Sequence, residues 1–355
     1  MKNSIKFAIA AAIVAAVVAS SLTLGSSSDA GAGNNNNNGE EAGVVRVGYF
    51  PNINHAQAVI GFGRGDFQDA LGDGVEVKTQ IFNAGPSVVE ALFASQIDVA
   101  YIGPNPAING YVKSDGQALR IVSGGASGGA VFVVRSDAGI DSAADLAGGT
   151  FASPQLGNTQ DVALRKYLLE NGHQTRENGG DVGVQPAKNA DIVALMIKKD
   201  IDGAWVPEPW GAKLVKDTDS RVFLDERDLW PGGEFVTAHI VVRTEFLEQN
   251  PEIVKKIVRT NVEQTEWINA HPDEAVRIFN EELEKLTGKT VPEDELREGL
   301  SRMELTYDPI KESLFKSASD AYDVGFFKER PDLSRIYDLD ILNEVLEEKG
   351  KAPIP

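Results

Sequence analysis

An α/β protein of two lobes, each a mainly parallel sheet flanked by helices, is the fold class that the sequence predicts. Three observations predict it. Short apolar strands alternate with helix-period segments from Val44 to Lys198, the pattern of parallel sheets covered by helices on both faces. One strand motif occurs twice: Ala130-Val-Phe-Val-Val-Arg135-Ser-Asp and Ala238-His-Ile-Val-Val-Arg243-Thr-Glu share apolar residues, Val-Val-Arg, a hydroxyl residue and an acid. The pair brackets about 100 residues, the size of one domain, and reads as two crossings of the chain between lobes. After Arg243 the chain is mostly helical, and these helices are expected to pack on the first lobe.

The elements follow in order. Val44–Phe50 alternates as a first strand and stops at Pro51; Asn52, Asn54 and His55 then occupy the strand end, where an open α/β sheet places its ligand crevice. A helix begins at Ala56, and Val75–Phe82 is a second strand. Asn83-Ala-Gly-Pro86 opens a helix with Pro in its first turn. Ile97–Ile102 is a third strand, broken by Gly103-Pro104-Asn105-Pro106. Leu119–Val122 is a fourth, and the small residues Ser123–Gly129 read as a turn. Ala130–Arg135 is a strand, Asp141–Leu146 a short helix, and Thr150–Ala152 the end of another strand. Pro154–Gly157 is turn chemistry, and from Asn158 the spacing becomes helical, with Asn158 as N-cap, Asp161 near the positive helix end and Asn171-Gly172 as the stop. Strands are expected at Val182–Val184, Ile201–Val206, Val222–Leu224 and Phe235–Arg243, with a helix at Ala190–Lys198. The C-terminal helices are Pro251–Ala270, Pro272–Leu286, Pro292–Met303, Pro309–Gly325 and Leu339–Lys349.

The N-terminus has Lys2 and Lys6 before an apolar run, Phe7–Ala19, followed by Ser20 and Ser21. That is the layout of a secretory signal with cleavage after Ala19. Left uncleaved, Phe7–Leu24 is about 18 residues, just enough for a membrane anchor. Gly25–Gly43, with Asn34–Asn38, has the composition of a flexible tether. Residues 1–24 are thus expected to be signal or anchor, 25–43 linker, 44–134 the first part of lobe one, 135–236 lobe two, and 237–355 the return strand and helices of lobe one. The expected location is periplasmic or at the cell surface.

A net charge of −19 argues against nucleic acid, which needs a basic face. There is no cysteine, which excludes a lipidated N-terminal Cys, disulfides, thiolate metal sites and a Cys nucleophile. The four histidines are scattered with no helical metal spacing, and no Gly-x-Ser-x-Gly elbow exists. Neither an enzyme, a metal site nor a cofactor is expected.

The chemistry that does stand out lies at strand ends. Asn52–His55, Gly103–Pro106, Ser123–Gly129 and Gln155–Gln160 are rich in amides, hydroxyls and backbone N–H, and none contains Lys or Arg. Such loops suit an anion held by oriented neutral dipoles, and the helix start at Asn158 adds its free N–H groups. The candidate ligand-binding residues are Asn52, His55, Gly103, Asn105, Ser127, Gln155, Asn158 and Thr159. Glu208 and Trp210 join them, because a carboxylate between Trp205 and Trp210 could take an amine. Trp205, alternating with Ala204 and Val206, reads as core. His239 reads as structural, and His173 and His271 as surface positions.

Six stretches together resemble the substrate-binding proteins of ABC importers for alkanesulfonates, nitrate and taurine. They are Arg46-Val-Gly-Tyr-Phe-Pro51, Phe82-Asn-Ala-Gly-Pro86, Ala100-Tyr-Ile-Gly-Pro-Asn-Pro-Ala-Ile108, Pro154-Gln-Leu-Gly-Asn-Thr-Gln-Asp-Val-Ala-Leu164, Asp202-Gly-Ala-Trp-Val-Pro-Glu-Pro-Trp210 and Asp225-Glu-Arg-Asp-Leu-Trp-Pro-Gly-Gly233. The resemblance implies the type II periplasmic-binding-protein fold, two lobes joined by a double-crossover hinge, with the ligand in the cleft and a membrane permease as partner. It places Gly103 to Asn105 on the lobe-one face, Gln155, Asn158 and Thr159 at the lobe-two helix, and Trp210 near the cleft entrance. Many members carry Asp where this chain has Glu208. The implied function is non-enzymatic capture of a small sulfonate-like anion, alkanesulfonate or taurine, by a monomer that closes on it. The alternatives are nitrate, or an aromatic heterocycle such as a thiamine-precursor pyrimidine stacked on Trp210. A pyrimidine-forming enzyme of the same superfamily is the third, disfavoured because the Cys and His groups it relies on are missing.

Overall fold

Two aspartates, Asp98 buried and Asp202 partly exposed, show how the chain builds each sheet. Asp98 precedes β3 (Val99–Ile102) and its carboxylate accepts the backbone N–H of Arg46 in β1 (Gly43–Tyr49) at 3.0 Å. It also receives Arg46 Nε at 2.9 Å and Arg243 Nη2 at 3.1 Å. Asp202 repeats the arrangement, accepting the N–H of Thr150 at 2.8 Å and Arg135 Nη2 at 3.0 Å. The motif Ile-Asp-x-Ala at 97–100 and 201–204, with one Val-Val-Arg strand beside each, therefore marks the same corner in both sheets.

The computed structural model describes residues 43–355; the expected signal or anchor and nearly all of the expected linker lie outside the described residues. The first sheet collects β1, β2 (Val75–Ile81), β3, β4 (Leu119–Gly128), β10 (Val236–Arg243) and β11 (Met303–Leu305) in the order β11-β4-β10-β3-β1-β2. The second has β5 (Ala130–Arg135), β6 (Thr150–Ser153), β7 (Gly183–Pro186), β8 (Gly203–Pro207) and β9 (Ser220–Asp225) in the order β7-β6-β8-β5-β9. Within each sheet the βα units pair parallel, β1 with β2 and β3, β6 with β7 and β8. The antiparallel pairings are brought by β10 and β5, the strands next to the crossings, and by β11. The chain crosses once between β4 and β5 and returns between β9 and β10.

Helices α1 (Ala56–Arg64), α2 (Asp66–Leu71), α3 (Gly85–Phe93) and α4 (Pro104–Lys113) belong to the first βα run. The second run holds α5 (Thr159–Glu170), α6 (Asn189–Lys198) and α7 (Trp210–Asp217). The C-terminal series is α8 (Thr244–Gln249), α9 (Pro251–Ala270), α10 (Pro272–Thr287), α11 (Glu293–Ser301), α12 (Lys311–Asp323) and α13 (Asp340–Glu348). Each sheet is buried on both faces. In β5, Val131 and Val133 enter one cluster while Phe132 and Val134 enter the opposite one, the strict alternation of a central strand. Trp205 lies stacked on Phe132 with ring centroids 5.3 Å apart, a core residue as expected. Among the described residues no helix is long and apolar enough to cross a membrane.

Two expectations are corrected. Ser123–Gly128 is not a turn but the second half of β4, buried throughout, and only Gly128 and Gly129 take positive φ, 75° and 76°. The small residues are there because another chain segment crosses closely: a Cβ on Gly124 would lie 2.2 Å from the carbonyl oxygen of Asp308. Met303, expected as the last residue of a helix, instead begins β11, because helix α11 stops at Ser301 and the chain pairs with Ala126–Gly128.

Candidate functional site

The C-terminal ends of β1 and β3 face those of β6 and β8 across the space between the sheets, and the expected loops meet there. A small chamber of about 20 Å³ is lined by Asn52, Asn54, His55, Asn83 and Gly103 from the first lobe. Pro154, Asn158, Thr159, Gln160, Asn189 and Pro207 line it from the second, with Thr237 on the returning strand. None of the lining side chains is charged.

Local structure explains each position. Asp161, fully buried, accepts Ser153 Oγ at 2.8 Å, Gly157 N–H at 2.8 Å and Arg165 Nε at 3.1 Å. It thereby folds the Pro154–Asn158 loop onto the start of α5. Asn158 is the N-cap residue by backbone, yet its side chain makes no cap; it donates to Gln160 Oε1 at 3.0 Å instead. That corrects the expected capping and leaves the first-turn N–H groups of α5 without a side-chain partner. Thr159 Oγ1 is buried with no partner. Opposite it, Gly103 approaches so closely that a Cβ would stand 2.4 Å from Thr159 Oγ1.

His55 is fully buried against Phe50 and Tyr101. Desolvation drives its pKa down to about 3, so the ring is neutral. Its Nδ1 accepts the Phe50 N–H at 3.4 Å, which puts the proton on Nε2, and Nε2 is buried without a partner. The chamber therefore presents a neutral imidazole N–H, a hydroxyl and a helix N-terminus, together with the unpartnered acceptors Asn54 Oδ1 and Asn189 Oδ1.

Of the ten residues expected at the site, five line this chamber: Asn52, His55, Gly103, Asn158 and Thr159. The other five lie elsewhere. Asn105 donates to the Ser317 carbonyl at 3.1 Å and lines a neighbouring interlobe chamber. Ser127 sits inside β4, accepting the Phe235 N–H at 3.2 Å. Gln155 uses its carbonyl to close the turn onto Asn158 N–H at 3.0 Å. Trp210 does not line the chamber; its Nε1 donates to Asn52 Oδ1 at 3.0 Å, a clamp between the lobes. Glu208 is the plainest correction. The expected amine partner is the protein's own: Arg302 Nη1 meets its carboxylate at 2.5 Å, and the Ala212 N–H donates at 3.0 Å. Glu208 is fully buried, and desolvation raises its pKa against these two partners.

Asn189 and Thr237, which also line the chamber, were not singled out as binding residues. Asn189 had a usable signal, since it opens the helix after the parallel strand β7, the position that Thr159 holds after β6. Thr237 had none, being one hydroxyl in an apolar strand. Among the described residues no cluster of metal-ligating side chains occurs.

Comparison with known proteins agrees with this architecture. A Brucella abortus chain described as a binding protein is 29% identical over 233 residues, 63% of this chain and 70% of that one. The taurine-binding periplasmic protein of Escherichia coli is 26% identical over 203 residues, 56% of this chain and 60% of its own. Among solved structures, the alkanesulfonate-binding protein SsuA of Xanthomonas axonopodis pv. citri, bound to MOPS, superposes with a TM-score of 0.71 at 18% identity. That match covers 84% of this chain and 99% of SsuA, and it shows the two-lobed fold. The family model of the NMT1-like family matches residues 38–280, and the chain belongs to that family.

Proposed function

We propose that the chain is the extracytoplasmic solute-binding component of an ABC importer, and that it captures a small sulfonate-like anion by closure of its two lobes. The observation that carries this is the interlobe chamber: fixed neutral donors, His55 Nε2–H, the Thr159 hydroxyl and the open N-terminus of α5, converge with no cation among them. Oriented dipoles match one negative charge in a dry site and release it without breaking a salt bridge. A ligand touching both lobes favours the closed state, the form that a membrane permease reads. The relatives' names support the transport role, an exported location and a permease partner. The protein acts as a monomer, and no catalytic step is invoked.

Isothermal titration with taurine, ethanesulfonate, nitrate and sulfate tests the reading. At least one is expected to bind, and Thr159→Ala, which removes one of the converging donors, to weaken it by roughly 1–3 kcal/mol with an unchanged melting temperature. No heat with any of the four, while a neutral heterocycle binds, would overturn it. A heterocycle is the second reading, favoured by the acceptors Asn54 Oδ1 and Asn189 Oδ1, which suit ring N–H or amino donors. Stacking on Trp210 plays no part in it, since that ring lies outside the chamber.

A further inference from the structure

A chamber of about 20 Å³ accommodates little more than a water-sized group, so the organic part of any sulfonate needs other space. That space adjoins it. Thr159 also lines a second interlobe chamber of about 160 Å³, walled by α5, α12 and the segment leading into β10.

The second chamber has an unusual floor. Glu226 is 2% exposed, accepts Trp205 Nε1 at 2.7 Å and has no ion-pair partner among the described residues. The other charges facing the chamber are matched to one another. From α5, Lys166 meets Asp323 at 2.8 Å and Glu170 at 3.4 Å; from α12, Lys316 meets Asp320 at 2.7 Å. Burial pushes the Glu226 carboxyl up to about 7, against the hydrogen bonds from the Trp205 and Trp230 side chains and the charge of Lys316. Trp230, stacked on Phe235 with centroids 5.2 Å apart, supplies a π face that already carries a cation: Lys316 Nζ lies 4.4 Å from its centroid. Tyr167 lines the same wall. A desolvated carboxyl with no direct ion pair, beside an indole whose face accepts ammonium, is the chemistry of an amine receptor.

We infer that the ligand continues past Thr159 into this chamber, where Glu226 and Trp230 receive a protonated amine, so that the protein selects amine-bearing over amine-free sulfonates. The inference rests on the anion reading above and adds Glu226 as a specificity-determining residue. Titration of the full chain with taurine and with ethanesulfonate tests it, in the wild type and in Glu226→Gln, which is nearly isosteric and still accepts the Trp205 N–H. The wild type is expected to prefer taurine by about tenfold or more, and E226Q to bring the two ligands to within about twofold. If E226Q folds poorly, Trp230→Leu is expected to narrow the same ratio. Equal binding of both sulfonates by the wild type, or an undiminished ratio in the variants, would overturn the inference and leave the anion reading standing. Failure of the wild type to bind either sulfonate would instead remove the anion reading.

Discussion

The contact between Gly103 and Thr159 allows lobe closure to be perturbed by a single methyl group. Gly103 has φ −73° and ψ 164°, an extended conformation that alanine adopts without strain. Gly103→Ala therefore acts only through its new methyl group, which would stand 2.4 Å from Thr159 Oγ1 and 3.5 Å from the Thr237 carbonyl oxygen. The first distance is about 1 Å inside ordinary contact, and Thr159 is β-branched at the start of a helix, so its side chain has few rotamers to retreat into. Overpacking of this kind costs about 1–3 kcal/mol. The clash exists only when the lobes are closed, so the cost falls on closure and appears as ligand affinity weakened about 5- to 150-fold. Thermal unfolding of the ligand-free protein should change little if the lobes can separate. A double-mutant cycle with Thr159→Ala isolates the effect. Removing Oγ1 relieves the clash, so G103A/T159A should bind no more weakly than T159A alone, a clear departure from additivity. Wild-type affinity in G103A, or additive losses in the double variant, would refute closure through this contact.

Two further predictions concern stability. Arg302→Ala strands the buried Glu208 carboxylate and should destabilise the fold by about 3 kcal/mol in urea denaturation at pH 8, with the loss shrinking as the pH falls and the carboxyl protonates; a loss below about 0.5 kcal/mol at pH 8 would contradict the pairing. His55 and His239 are held neutral by burial, with pKa values driven down to about 3 and about 4. The unfolded chain therefore binds more protons below about pH 6.5, and each histidine's stabilisation is lost as the pH falls, about 2 kcal/mol apiece by pH 5. His55→Gln should flatten that acid limb, and an unchanged pH profile would show that His55 is solvated.

The sequence made the scaffold legible because its signals are local and repeated. Strand alternation, Pro-opened helices and the doubled Val-Val-Arg strand each report a backbone constraint that acts over a few residues. The strand-end rule likewise pointed to Asn52, His55, Gly103, Asn158 and Thr159, since a parallel strand leading into a helix fixes where its loop must lie. What the sequence hid depends on partners distant in the chain. Glu208 reads as a free pocket carboxylate until Arg302, 94 residues later, is folded against it. Trp210 reads as a ligand platform until its N–H is seen to hold Asn52, 158 residues away. The small run at 123–129 imitates a loop because glycine serves turns and close crossings alike, and only the approach of Asp308 distinguishes them. Glu226 lies inside a stretch noted for its family likeness, but nothing local reveals that its carboxyl is buried without an ion pair.

A crystal structure of the protein soaked or co-crystallised with taurine tests the central claim most directly. The account expects the sulfonate between the lobes, its oxygens within hydrogen-bond distance of His55 Nε2, Thr159 Oγ1 and the first N–H groups of α5. A sulfonate bound instead to lysine or arginine side chains outside the chamber would contradict it.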